Sequence, residues 1–70
     1  MGNHKGIIIS LVKHKGYGFI QEEKENKRIF FHATGVCDPK DFGDLREGLP
    51  VEYMTVETPK GTKAIGIVVV

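Results

Sequence analysis

The stretch KHKGYGFIQ, residues 13–21, sets Tyr17 and Phe19 two apart, with Gly18 between them and Lys13, His14 and Lys15 in front. In an extended chain, residues two apart share a face. Tyr17 and Phe19 therefore point one way, and Gly18 and Ile20 the other. If Ile20 faces a core, two of the chain's six aromatic rings face water beside a basic cluster.

The same alternation recurs at RIFFHA, residues 28–33. Ile29 and Phe31 share one face, and Phe30 and His32 the other. Apolar and β-branched runs broken by Gly and Pro continue along the chain, which is the grammar of strands. Strands are expected at 6–12, 17–22, 28–33, 50–57 and 63–70. KENK (24–27) reads as a polar hairpin tip and TPKG (58–61) as a turn. The long connection 34–48 contains Pro39, which presets φ for a short helical turn. Pro50 opens the fourth strand, where a missing N–H does least harm. In that strand Val51, Tyr53 and Thr55 oppose Glu52, Met54 and Val56. The triple Ile7–Ile8–Ile9 defeats the alternation test. An open sheet of five short strands would expose pairing edges. The fold class expected is therefore all-β: a five-stranded antiparallel OB-type Greek-key barrel, forming a single domain over residues 1–70.

A hairpin of 17–22 with 28–33 brings Tyr17, Phe19, Phe30 and His32 onto one outer face. Rings take bases by stacking, at about 1–3 kcal/mol per base, and tolerate sequence because every base has a π-face. Lys13 and Lys15 at the edge can contact phosphates and release counterions. Gly16 and Gly18 are expected to leave the strand surface bare beside the rings. Two rings at period two more often mark a core face, but Ile20, Ile29 and Phe31 already supply one.

Bulk composition narrows the function. Seventy residues make one small domain, with an expected stability of roughly 3–5 kcal/mol. Net charge is +1, but residues 1–28 hold six Lys/Arg against three Glu, and residues 29–70 hold four against six Asp/Glu. A basic face on a nearly neutral body attracts a polyanion at short range. The single Cys37 excludes an intrachain disulfide and suits a reducing cytoplasm. His4, His14, His32 and Cys37 are scattered, so neither a metal site nor a cofactor is expected. No apolar run approaches a membrane span. The N-terminal MGNHKG has neither a signal peptide's hydrophobic stretch nor the Ser or Thr of a myristoylation site after Gly2. No nucleotide loop, catalytic triad or calcium-loop spacing is present, so an enzyme is not expected. Glu22, Glu23 and Glu25 read as solvated.

KGYGFI (15–20) and IFFH (29–32) resemble the two RNP motifs of cold-shock domains, typically K-G-F/Y-G-F-I and V-F-V-H. Gly6, the loop DFGDLREG (41–48), Val51, KGTKA (60–64) and Ile67 extend the resemblance over nearly the whole chain. It implies an OB-type barrel that binds single-stranded RNA or DNA without catalysis. Carried over, the binding face falls on Lys15, Tyr17, Phe19, Phe30, His32, Phe42 and Lys60. The departures are specific. Ile9, Ser10, Leu11 and Val12 stand where the family reads K-W-F-N, so the usual surface Trp is Ser10. Ala33 replaces a Phe, Arg28 replaces an Asp, and Lys63 replaces a Gln. Two lost stacks would remove about 2–6 kcal/mol if additive, and Arg28 and Lys63 could recover part through phosphates. The alternative is an OB-type barrel whose face has drifted, acting as a protein-interaction module or homodimer through exposed Ile9, Leu11 or Val12.

Overall fold

The computed structural model describes residues 3–70, so Gly2, read above as no acylation site, lies outside it. Five strands close into a barrel in the order β1-β2-β3-β5-β4. They are β1 (His4–Val12), β2 (Tyr17–Glu22), β3 (Arg28–His32), β4 (Pro50–Thr58) and β5 (Gly61–Val69). Short 3-10 turns lie at Lys13–Lys15, Ala33–Gly35 and Pro39–Asp44. The helical turn expected at Pro39 is there, with the Asp38 carboxylate accepting from the Lys40 N–H at 3.1 Å.

The expected barrel is present, with one correction. Its sheet is not fully antiparallel, because β3 and β5 pair in parallel, Phe30 opposite Lys63 and Phe31 opposite Ala64. The cause is parity. Directions cannot alternate all the way around a ring with an odd number of strands, so one neighbouring pair must run together. Here the other four pairs are antiparallel.

The interior is filled by Ile8, Ile20, Phe31, Leu45, Val51, Tyr53, Ala64 and Ile67, all essentially without solvent contact. Each large aliphatic or aromatic side chain among them contributes about 1.5–3 kcal/mol by burial. The three isoleucines of β1 resolve through a bulge. The register against β2 shifts between Ile8 and Ser10. Ile8 is buried, while Ile7 and Ile9 are exposed. An extra residue in one strand breaks strict alternation, which is why the pattern was unreadable there.

Glu22 is a second correction. It is not solvated but 6% exposed, and Tyr53 Oη donates to its Oε1 at 2.7 Å. His4 Nδ1 lies 3.4 Å from the same oxygen, and its ring stacks on Tyr53. Glu22 ends β2 with its side chain on the inward side of the strand, alongside Gly18 and Ile20. A carboxylate taken inward needs donors, because an unsatisfied buried acceptor is expensive. Burial, then the hydrogen bond to Glu22, then the charges of Glu22 and Glu25 hold the Tyr53 hydroxyl well above the usual tyrosine pKa of 10.0.

Tyr53→Phe is accordingly expected to cost about 1–3 kcal/mol in urea unfolding near neutral pH. It also changes the alkaline limb. Tyr53 binds its proton more tightly when folded, so its stabilisation is complete below pH 10.0 and is lost as pH rises beyond that. The loss approaches about 1.4 kcal/mol per pH unit. The phenylalanine variant should lack this component of the slope; an unchanged slope would mean that Tyr53 does not couple folding to pH.

Candidate nucleic-acid interface

Strand pairing lays out a grid on the outer surface of β1, β2 and β3. Val12, Tyr17 and His32 form one row, Ser10, Phe19 and Phe30 the next, and Ile7, Gln21 and Arg28 the third. β2 alternates half-buried and buried along its whole length, with Tyr17, Phe19 and Gln21 on the outer side. β3 answers it with Arg28, Phe30 and His32 outside and Ile29 and Phe31 inside.

Phe30 joins the rings. Its centroid lies 5.7 Å from that of Tyr17, with the planes tilted by 36°, and 5.9 Å from that of Phe19, edge to face. Tyr17 and Phe19 meet edge to face at 6.1 Å. Edge-to-face contacts hold rings in place without covering all their faces. His32 is fixed as well, because its Nδ1 accepts from the Thr34 N–H at 3.2 Å. A neutral ring held this way carries its proton on Nε2, which is left to donate.

The cations are distributed around this platform. Lys15 and Lys60 are exposed, and Lys63 is half-buried beside Phe30. Only two ion pairs form among the described residues, His4–Glu22 and Lys27–Glu25, so none of these lysines is neutralised by a carboxylate contact. Lys13 donates to the Gly43 carbonyl at 3.0 Å, tying the turn after β1 to the long connection. Its ammonium retains two further donors. Arg28 lies over the Phe19 ring, Cζ 5.2 Å from the centroid. The β4–β5 hairpin tip, in which only the lysines stand out by sequence, forms a groove of about 630 Å³ with Phe30, Lys60 and Lys63 among its walls.

Two expected features are placed elsewhere. Phe42 is not on the face. It is 8% exposed and packs edge to face on Phe31 at 6.2 Å, as part of the core. The turn Pro39–Asp44 carries it over the barrel mouth, where an apolar ring gains more from burial than from water. Gly18 does not bare the outer surface either. It faces inward, where an added Cβ would come within 2.9 Å of the Phe31 ring. Gly16 has φ of +75° and ends the Lys13–Lys15 turn, a left-handed position that favours glycine.

The outward aromatic cluster thus lies on the second and third strands of a closed five-stranded barrel, with lysines around it that no carboxylate contacts among the described residues. The profile of the 'Cold-shock' DNA-binding domain matches residues 4–70. The chain belongs to the cold-shock domain family. The family is described as a DNA-binding domain, and nucleic-acid binding is its general property. The chain is 38% identical over 60 residues to a cold shock-like protein of Aquifex aeolicus, covering 86% of this chain and 84% of that one. It is 33% identical over 63 residues to the cold shock-like protein CspJ of Salmonella typhimurium, covering 90% and 89%. Among solved structures it is similar to Drosophila Unr CSD456, with a TM-score of 0.76 and 29% identity. That match covers 93% of this chain and 25% of the other. Among the described residues no helix is long and apolar enough to cross a membrane, and no group of three or more His, Cys, Asp or Glu could hold a metal ion.

Proposed function

We propose that this cold-shock domain binds single-stranded RNA or DNA by stacking bases on Tyr17, Phe19, Phe30 and His32, with little overall sequence specificity. It would act in the cytoplasm as a nucleic-acid chaperone or regulator of expression. The observation that carries the proposal is the contiguous ring cluster on the outer face of β2 and β3, opposite a complete core. Lys13, Lys15, Lys60 and Lys63 supply phosphate contacts around it, and the Nε2 proton of His32 supplies a donor.

The stacking surface is smaller than the family pattern implies. Ser10 stands beside Phe19 without a ring, and Ala33 follows His32 without one. Binding is expected to be weaker and more dependent on salt as a result. Four lysine–phosphate contacts on a single strand give a log–log salt slope of about −3. The test is a titration of amide chemical shifts with short dT, dA and rU oligomers at two salt concentrations. Shifts centred on residues 17–19 and 30–32, with that slope, support the reading. Shifts confined to other faces, or tight binding indifferent to salt, would overturn it.

A second reading, pairing of two chains through the first strand, is favoured by the exposure of Ile7 and Ile9. It requires a dimer that forms with concentration and is blocked by Ile9→Lys, measured by sedimentation.

A further inference from the structure

We propose that Arg28 selects guanine at the one base position that stacks on Phe19. The inference rests on the stacking function proposed above and adds a base preference at a single place in it.

Arg28 is the third-row neighbour of Phe19, and its guanidinium lies over that ring. No carboxylate holds it, since the two ion pairs among the described residues lie elsewhere. Among the described residues its cross-strand partner Gln21 makes a side-chain hydrogen bond only to Asn26, its amide donating to Oδ1 at 2.5 Å, and none to Arg28. Among the described residues the contact with Phe19 is therefore the only side-chain partner of this cation. An exposed contact of this kind is weak and can be exchanged for a better one. The strand on the other side of Phe19 offers Ser10, whose small side chain leaves a base free to overhang the ring in that direction.

A base that takes the face of Phe19 moves the guanidinium to the base's edge. There the guanidinium presents a fork of donors and no acceptor. It is satisfied by two acceptors side by side. Guanine offers N7 and O6 on one edge, and a single strand leaves that edge free. Adenine places an amino donor beside N7. Thymine and uracil alternate acceptor, donor, acceptor. Cytosine has adjacent acceptors on its pairing edge but a smaller ring to stack. Guanine alone combines the larger stack with the matching edge. Tyr17 and His32 have no arginine beside them, so the preference stays confined to the Phe19 position.

The experiment uses the full chain and fluorescently labelled dT hexamers carrying one dG, dC or dA at each position in turn. One dG is expected to tighten binding about five- to tenfold at one position only, with a smaller gain for dC and none for dA. Arg28→Lys keeps the charge and should lose the dG gain, read within that variant as the ratio of its affinity for the dG-containing hexamer to its affinity for the all-dT hexamer. The gain should also persist when salt is raised, because it is not a phosphate contact. A dG gain that survives in Arg28→Lys, or equal affinity for all four bases, would overturn the proposal while leaving stacking intact. So would Arg28→Ala tightening every oligomer alike, which would make the guanidinium a lid on the ring. Absence of binding to any oligomer overturns the stacking reading and this one with it.

Discussion

Replacing Tyr17 and Phe30 together by alanine is expected to weaken oligonucleotide binding by about 2–6 kcal/mol while the barrel stays folded. That is roughly one and a half to four decades in Kd. Both rings are half-buried on the outer face, and the core against them is made by other residues: Ile20, Ile29 and Phe31. Removing them therefore takes away stacking surface without opening the interior. The two rings are 5.7 Å apart, so their effects should couple, and the single variants are needed to close a double-mutant cycle. Phe30 should cost more than Tyr17, because it touches both neighbouring rings and walls the hairpin groove. The chain has no tryptophan, so the signal must come from the oligomer, as anisotropy of a labelled hexamer. The salt slope should survive in the double variant, since the lysines are untouched. Unchanged affinity with an intact fold would place the binding face elsewhere.

That prediction depends on features that two short segments of sequence display openly. In YGFIQE and RIFFH, alternation, aromatic content and the glycine breaks all agree, and the structure sets these strands over the residues expected, within one position at the end of β3. Local pattern carries information when a strand has one wet face and one dry face. It fails where another part of the chain decides. The bulge at Ile8–Ser10 is set by pairing with β2, and nothing in III announces it. Glu22 is buried because Tyr53, thirty-one residues away, donates to it. Phe42 belongs to the core because Phe31 receives it. Lys13 is partly engaged because the carbonyl of Gly43 is in reach. The parallel β3–β5 pair was legible in principle, since five strands in a ring cannot all alternate; that deduction needs closure and strand count together rather than any residue.

Gly18→Ala is expected to destabilise the barrel by about 1–3 kcal/mol, as overpacking of a filled core does. An added Cβ would sit 2.6 Å from the Ser10 carbonyl oxygen and 2.9 Å from Cε1 and Cζ of Phe31. Neither neighbour yields easily. Phe31 has no solvent contact into which it could swing, and Ser10 is backbone at the bulge where β1 pairs with β2. Against a total stability of roughly 3–5 kcal/mol for so small a domain, Gly18→Val should leave the chain largely unfolded at 25 °C. Gly43→Ala is the control, because nothing lies within 4 Å of its added Cβ, and urea midpoints with unchanged m-values give the comparison. Adding Phe31→Leu to Gly18→Ala should relieve the ring contact but not the carbonyl contact, so partial recovery is the expected result. Gly18→Ala as stable as the parent would show that β1 and β2 can part at the bulge without cost. The consequence reaches function through the neighbours. Gly18 lies between Tyr17 and Phe19, so any shift that admits a methyl group moves both rings relative to Phe30. Binding should then fall even in the fraction of Gly18→Ala that remains folded. The outward rings hold their spacing because the inward position between them has no side chain, and it has none because Phe31 occupies that space.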